Sequence, residues 1–412
     1  MKSIFNKYMA VPAIALLGFT AVSCEEDYEP SYQITEDSFQ ILQTTGTLPV
    51  ATKYATGETV KMELVYNKSD IKEIVLLQKL DTQDSSVVRT IPAQGAYSLR
   101  KKADTLVVEY VVPQGLANKT LIRLDAKGVG FNNATKTRSV SFRVAEAMPT
   151  IKIKSVTNRT ATAQYGNAAS DVIRYELLLN EGGVTSVTAT TPASAILYKD
   201  LDSLNVYAKV GAAAETRVQR IGLTKSGAAV TRNVDVTVPA SSAGQEVTFR
   251  FEVKSLLPKL AASVTSAPVT PVAATAFTGT STATIGLNGD ANMASFNFVT
   301  RTNAGSDVVA NKDITVTSVA GNKVAVKADN TTAFVKSTTA AYNAATFSSV
   351  RQTYYTGANA VPTTVVTSIA DLLVGDVYIA KLVGTDNYVI FKVTAINRTE
   401  TGATVTMDYK YL

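Results

Sequence analysis

Cys24 carries the only thiol of the 412-residue chain, and this thiol is the strongest nucleophile that the sequence offers. A cysteine thiolate can form a disulfide, bind a metal, attack a carbonyl or accept a lipid. A disulfide within the chain is excluded because there is no second cysteine. The short segment 21–23, directly before the thiol, carries the small residues that a peptidase cleaving at this point must accept. The spacing therefore favours lipid attachment at Cys24 over thiolate catalysis.

Histidine and tryptophan are both missing from the sequence. Without histidine, the serine–histidine and cysteine–histidine mechanisms are excluded, together with histidine metal sites and bis-histidine haem ligation. Without tryptophan, any stacking of a side chain on a sugar face must come from the 18 tyrosines. The composition therefore removes the commonest catalytic and metal-binding arrangements.

Paired carboxylates are the remaining route to catalysis, because glycoside hydrolysis requires only two of them. Closely spaced pairs occur at Asp81/Asp84, Asp200/Asp202 and Asp371/Asp376. None of these pairs lies in a recognisable motif, and acidic residues commonly decorate loops. We therefore expect no enzyme activity and no bound cofactor.

Two further segments have residue types that could bind a ligand. Tyr354 and Tyr355 are adjacent on a predicted helix, which cannot bury both neighbours on one face, so a ring could stack on a ligand. The alternative is that Tyr354 belongs to the core and Tyr355 covers its rim. Segment 288–292 places side-chain oxygens at alternate positions, as calcium loops do, but it lacks the distal glutamate. A polar turn is the favoured interpretation there, and no metal site is expected.

The first 23 residues have the organisation of an export signal. Lys2 and Lys7 precede the apolar run 9–22, which at about 14 residues is shorter than the roughly 20 of a membrane-spanning helix. The segment 21–24 resembles the lipobox of bacterial lipoproteins, with alanine where leucine is commonest at its start. The alternative is an ordinary secretory signal with an incidental cysteine. The resemblance implies that a lipid on Cys24 anchors the mature chain to a membrane.

An acidic cluster, Glu25, Glu26 and Asp27, follows the cysteine directly. A cluster in this position resembles the surface-export signal of Bacteroidota lipoproteins. The resemblance implies a surface-exposed, lipid-anchored protein of the outer membrane. The alternative is a solvated acidic tether without an export role.

The rest of the chain predicts an all-β protein. Its composition is 46% hydrophobic and 18% charged, and it is rich in β-branched residues. Short strands separated by turn signals, such as Val60–Tyr66 and Ile71–Leu80, predict two β-sandwiches, and these resemble immunoglobulin-like or fibronectin-like modules. A weak internal repeat pairs residues 107–127 with residues 234–254.

The last third of the chain has a different pattern. A helix is predicted from Asn343 to Tyr355 with Gly357 as its left-handed cap, followed by a three-strand meander over residues 376–412. The predicted organisation comprises a signal peptide 1–23, a tether 24–33, a β-sandwich 34–147, a second β-sandwich 148–260, a linker 261–275, and a C-terminal β-rich domain with one short helix 276–412.

The C-terminal strands carry a further resemblance. Segments 375–381, 388–394 and 408–411 resemble the C-terminal domain of Bacteroidota lipoproteins and, distantly, the β-rich domain of HmuY-like haem-capturing lipoproteins. That family ligates haem through paired histidines or methionines. Histidine is absent here, and Met293 and Met407 have no evident reason to face each other, so we do not expect the haem chemistry to be shared.

These observations predict a non-catalytic accessory lipoprotein of the cell surface that binds a ligand. Lysine and arginine are scattered and the formal net charge is +6, so no nucleic-acid surface is expected. The predicted cell-surface location and the domain organisation suggest a glycan ligand. They also suggest partners of a TonB-dependent, Sus-type uptake system, as SusE- and SusF-like lipoproteins have. The alternatives are a structural or assembly protein that binds envelope proteins, and a hemophore-like binder of a small ligand.

Overall fold

The computed structural model describes residues 41–43, 50–160, 167–287, 293–305, 312–320, 323–382, 386–398 and 402–412. Over these segments the chain is predominantly β-structure in several sheets, which confirms the predicted all-β class. The chain forms two compact units. The first unit consists of residues 1–51, 59–110 and 121–142, and the second of residues 52–58, 111–120 and 143–412.

The first unit contains a β-sandwich, with strands numbered here along the chain. One sheet has, in spatial order, β1 (Leu42–Gln43), β3 (Thr59–Tyr66), β7 (Ala103–Val111) and β6 (Ala96–Ser98). The other has β9 (Thr135–Val144), β8 (Leu121–Gly130), β4 (Ile71–Leu80) and β5 (Ser86–Pro92). The Tyr110 hydroxyl of β7 donates a 2.7 Å hydrogen bond to Oε1 of Gln78 in β4, so a polar contact joins the two sheets through the core.

The second unit begins with a short strand, β2 (Lys53–Tyr54), in a segment that ion pairs join to residues much later in the chain. Lys53 Nζ lies 2.6 Å from a carboxylate oxygen of Asp200, and Lys199 Nζ lies 2.9 Å from a carboxylate oxygen of Glu58. Each of the two segments thus contributes one lysine and one carboxylate, and both lysine side chains are about nine-tenths buried. Removing one partner of such a pair would leave a poorly solvated charge, so the pairs fix this segment in place.

The second sandwich has the strand orders of an immunoglobulin-like module. One sheet consists of β10 (Ile151–Asn158), β11 (Val172–Leu179) and β16 (Val230–Thr237). The other consists of β15 (Thr216–Gly222), β14 (Leu201–Val210), β17 (Val247–Ser255) and β18 (Ala261–Thr265), and a small pair is formed by β12 (Gly183–Val184) and β13 (Ile196–Leu197). These orders correspond to strands A-B-E and C′-C-F-G of such sandwiches.

The weak sequence repeat falls on equivalent strands of the two sandwiches. β7 and β8 of the first unit occupy the same positions in their sheets as β16 and β17 do in the second sandwich. The predicted repeat between residues 107–127 and 234–254 is therefore confirmed at the level of topology.

The predicted linker over 261–275 is wrong in its first part. β18 lies within that range and pairs with β17, so the second sandwich extends beyond residue 260. Val269 then exchanges two backbone hydrogen bonds with Val247, of 2.7 and 2.9 Å. The proline-rich composition suggested a free linker, but prolines are also tolerated along the edge of a sheet.

The C-terminal region is built on two sheets. The first, named here the central sheet, has six strands in the order β19 (Gly279–Leu287), β29 (Ala403–Tyr411), β28 (Tyr388–Arg398), β27 (Val377–Lys381), β24 (Ala333–Ser337) and β25 (Val365–Val366). The second, the outer sheet, has five strands in the order β21 (Thr302–Ala304), β20 (Ser295–Asn297), β22 (Ile314–Ala320), β23 (Lys323–Ala328) and β26 (Ser368–Ile369). The predicted meander is confirmed as β27, β28 and β29, which are consecutive antiparallel neighbours.

The middle strands of the central sheet are buried on both faces. Alternate residues of β28, such as Val389 and Phe391, pack in a core shared with the outer sheet. The intervening residues, such as Tyr388 and Ile390, pack in a second core shared with the helices. This explains why β28 is apolar without interruption over its first four residues, a pattern typical of strands covered on both sides.

Two helices cover the central sheet where one was predicted. They are α1 (Thr339–Asn343) and α2 (Phe347–Ala358). The predicted helix was placed four residues too early because Thr346 caps α2 through a reciprocal capping box with Ser349, a signal given by side-chain hydrogen bonding and not by apolar spacing.

Gly357 does not cap α2 but lies inside its last turn. A Cβ atom at this position would come within 2.7 Å of the Thr364 hydroxyl oxygen and 3.0 Å of a Val335 methyl carbon. The glycine therefore allows the helix to approach β24 closely, and the helix ends at the next residue, Ala358, with Asn359 as its C-cap.

Replacing Gly357 with alanine should destabilise the C-terminal domain. The substitution gains about 1 kcal/mol of helix propensity, but overpacking against Val335 and Thr364 costs about 1–3 kcal/mol. Scanning calorimetry of the full chain should show a lower transition temperature. Thr356→Ala, on the exposed neighbour, is the matched control and should leave that temperature unchanged or raise it. A stabilised Gly357→Ala variant would contradict the close packing.

Candidate functional site

The residues predicted to direct lipidation and export, Cys24, Glu25, Glu26 and Asp27, lie outside the described residues. The predicted polar turn 288–292, considered above as a calcium loop, also lies outside them. Their roles therefore stay predictions from the sequence.

Tyr354, one of the two tyrosines predicted to bind a ligand, is buried under the central sheet. Its ring centroid is 5.4 Å from that of Tyr388 in an edge-to-face arrangement, within the core shared by helices and sheet. Burial raises the pKa of Tyr354 above its ordinary value. The structure thus places Tyr354 in the packing of α2 and gives it no open ring face.

Tyr355 points the other way, toward the second sandwich. Its hydroxyl donates to a carboxylate oxygen of Asp235 at 2.9 Å and accepts from Arg174 at 2.9 Å and from Arg159 at 3.3 Å. The Arg159 guanidinium lies 5.6 Å from the ring centroid. A hydroxyl with this many partners positions α2 against strands β11 and β16. Ligand stacking on Tyr355 stays a prediction, and the geometry offers a positioning role instead.

One member of each carboxylate pair considered for catalysis has a structural partner. Asp200 is paired with Lys53, Asp376 lies 3.0 Å from Lys336 Nζ, and Asp81 accepts a hydrogen bond from the Leu121 amide at 2.8 Å. In the part of the chain that the structure describes, no three acidic or cysteine side chains come together as a metal site would require.

The two methionines considered for haem ligation are not equivalent. Met407 is fully buried in the core between the central and outer sheets, where it pairs across β28 and β29 with Val393. Met293 is half-buried just before β20. A haem iron could reach Met407 only if that core opened.

A cavity of about 130 Å³ lies at one end of the central sheet. We name it the sheet-end cavity. It is formed where the turn after β20, the start of α2, the end of β29 and the described residues Leu382 and Asn387 between β27 and β28 meet. Its lining also includes Phe298, Arg301, Phe347, Tyr388 and Tyr411. For comparison, an apolar cavity of about 150 Å³ holds one benzene molecule. The sheet-end cavity therefore has room for a single ring-sized group.

Tyr411 forms one wall because a glycine faces it. Gly279 in β19 is its direct cross-strand partner, and a Cβ atom on Gly279 would come within 2.3 Å of the Tyr411 ring. The missing side chain lets the ring lie over the neighbouring strand. Tyr411 is half-buried, with one side toward the cavity and the Tyr409 ring 5.8 Å away.

Arg301 is held over that wall by a tight turn. Its guanidinium carbon is 4.6 Å from the Tyr411 ring centroid, and its backbone has a φ of 59°. Asn297 organises the turn, since its side-chain oxygen accepts from the amides of Val299 and Thr300 at 2.8 Å each. The arginine is exposed, and no carboxylate in the described segments is ion-paired with it.

Tyr388 and Arg351 form the floor on the helix side. Burial raises the pKa of the Tyr388 hydroxyl to about 12, and a hydrogen bond from Arg351 partly offsets that effect. The Arg351 guanidinium carbon lies 5.7 Å from the Tyr388 ring and 5.5 Å from that of Phe347. Tyr388 therefore stays protonated at neutral pH, and the floor combines aromatic surface with a buried cation.

Sequence reasoning missed this cavity because its residues come from four distant segments. Arg301, Phe347, Tyr388 and Tyr411 share no spacing, and each alone resembles a residue of a strand, turn or helix. The one usable signal was the glycine at position 279, opposite an aromatic residue in a neighbouring strand, and it requires the strand register to be known.

No protein-family model matches the chain, and no curated protein matches it either. One solved structure with partial similarity is the crystal structure of a DUF4466 family protein from Parabacteroides merdae. It has 11% sequence identity, covers 65% of this chain and 99% of its own, and has a TM-score of 0.23. Such a score carries no inference about fold or function. Within the described residues, no helix is long and apolar enough to cross a membrane.

Proposed function

We propose that the protein is a surface-anchored, non-catalytic lipoprotein that binds a glycan through the sheet-end cavity. The observation that carries the proposal is the combination of aromatic walls and polar rim in that cavity. Tyr411 and Tyr388 contribute aromatic surface, Asn387 an amide and Arg301 a guanidinium, all around one small space. Binding sites for small ligands commonly combine apolar walls with a few converging polar groups.

The anchoring part of the proposal rests on the sequence. An apolar run too short to span a bilayer ends at a lone cysteine, and acidic residues follow it directly. A lipid at Cys24 would hold the binding domain at the membrane, where a TonB-dependent uptake system could receive the captured glycan.

A second candidate function, binding of an envelope protein, is favoured by one feature of the first unit. All seven residues of β5 are at least partly exposed, including Val87 at 63%, and among the described strands β5 pairs only with β4, on one side. An exposed edge strand of this kind can accept a strand from another chain. This surface supports a structural or assembly role that does not require the cavity.

Replacing Cys24 with alanine should abolish lipid attachment. Cells grown with labelled palmitate should label the native protein and not the variant, and the variant should leave the membrane fraction. Changing Glu25, Glu26 and Asp27 to alanine should keep the label but remove accessibility to protease added outside the cells. Labelling of the Cys24→Ala variant would contradict the proposed anchor.

Glycan binding should depend on the cavity and not on Tyr355. Affinity electrophoresis of the detergent-solubilised full chain through gels with single polysaccharides should show retardation by at least one glycan. Tyr411→Ala should weaken it about tenfold, because the aromatic wall is lost. Tyr355→Ala, about 12 Å along α2 from Phe347, is the matched control and should bind as the native protein does.

Retardation that survives in Tyr411→Ala but is lost in Tyr355→Ala would contradict this assignment and favour the tyrosine platform on α2. No retardation by any neutral or charged polysaccharide would contradict glycan binding itself and favour the protein-binding alternative.

A further inference from the structure

We propose that the sheet-end cavity selects an anionic sugar, namely a ring that carries a carboxylate, as uronic acids do. This inference rests on the proposed glycan-binding function and adds the chemical class of the ligand. It is carried by the charges around the cavity and by the way Arg301 is held.

The cations at the rim have no carboxylate partners among the described residues. Arg301 lies over the Tyr411 ring, and Lys381 Nζ lies 6.0 Å from the centroid of the Tyr388 ring. Neither side chain forms an ion pair with a carboxylate in the described segments. Three arginines of the second sandwich differ in this respect, since Arg174, Arg220 and Arg250 are each paired with a carboxylate. Among the described residues, no ion pair neutralises the positive charge of Arg301 or Lys381.

Arg301 is preorganised for a planar anion. The guanidinium rests on an aromatic face, and its backbone is fixed in a turn whose amides are bonded to Asn297. A guanidinium binds a carboxylate through two parallel hydrogen bonds, which adds both affinity and orientation. Because the side chain is already ordered by stacking, less conformational entropy is lost when the anion binds.

The buried charge behind the cavity has the same sign. Arg351 is 6% exposed and contacts the rings of both Phe347 and Tyr388, which line the space. A positive charge in a partly desolvated position favours an anion in front of it more strongly than a fully hydrated charge would. Asp386 is the opposing charge: it is exposed, next to Asn387, and it acts on Tyr388. The basic side chains next to the aromatic lining are thus Arg301, Lys381 and Arg351, and the opposing charge is Asp386. Leu412, the last residue of the sequence, also lines the cavity.

The size of the space restricts which part of a glycan can enter. At about 130 Å³ the cavity is slightly smaller than one that holds benzene, so only part of a single sugar, at an end or a branch of a chain, would enter it. The sugar would contact the part of the Tyr411 ring that lines the cavity, and its carboxylate would reach Arg301. A neutral hexose of the same shape would leave the guanidinium without its anion.

The test compares pairs of polysaccharides that differ only in charge. Polygalacturonate, alginate and hyaluronan would each be cast in affinity gels beside the same polymer with its carboxylates reduced to alcohols. The full chain in non-ionic detergent should be retarded by at least one acidic polymer and at least roughly tenfold less by its reduced form. The retardation should weaken as salt is added, because exposed charges are screened.

Variants that remove either a positive or a negative charge near the cavity make the test more specific. Arg301→Gln should weaken binding of the acidic polymer at least roughly tenfold. Arg301→Lys should bind more tightly than Arg301→Gln, because lysine keeps the positive charge but lacks the planar guanidinium that forms two parallel hydrogen bonds. Asp386→Asn should strengthen binding, since it removes the opposing charge. Far-ultraviolet circular dichroism would establish that each variant folds as the native protein does.

Equal retardation by the acidic and reduced polymers, or Arg301→Gln binding as the native protein does, would overturn the selection of an anionic sugar while leaving glycan binding intact. Retardation by a sulfated polymer and by none of the uronates would also overturn it. Absence of retardation in every gel, neutral polymers included, would overturn the proposed function together with this inference.

Discussion

The burial of the middle strands of the central sheet on both faces is the constraint on which the C-terminal domain depends. Neighbouring residues of β28 belong to different cores, so a shift of one residue in register would exchange Tyr388 with Val389 and disrupt both. The pairing of β27, β28 and β29 is therefore fixed by packing. The cover on the helix side extends over β24, β27 and the first residues of β28, and it stops at the end of these strands. The sheet-end cavity arises there, because turns and a helix terminus meet without filling the space.

The same constraint explains which parts of the fold could be predicted from the sequence. Strands covered on one face alternate, and strands covered on both faces form apolar runs, so β3, β4 and the C-terminal meander were predictable within a few residues. The two sandwiches followed from the same pattern together with the regular turn signals. The start of α2 was missed because Thr346 sets it through hydrogen bonds, and the role of Gly357 was missed because only tertiary contact reveals it.

The candidate site was not predictable in the same way. Sequence reasoning selected Tyr354 and Tyr355 because they are adjacent, yet one is core and the other is bonded to Arg174 and Asp235 of the second sandwich. The residues around the cavity are separated by up to 114 positions, from Phe298 to Leu412, and converge only through strand register and tertiary packing. Residues at a sheet terminus are free to differ in type, since packing does not dictate them as strictly as it dictates the strand interior.

A crystal structure of the protein soaked with a short galacturonic acid oligomer would test the central claim directly. The account predicts electron density for one sugar ring in the sheet-end cavity, against the Tyr411 ring, with its carboxylate within hydrogen-bonding distance of the Arg301 guanidinium. Density for the oligomer at another surface, with the cavity empty, would contradict the claim that the end of the central sheet is where this protein binds its ligand.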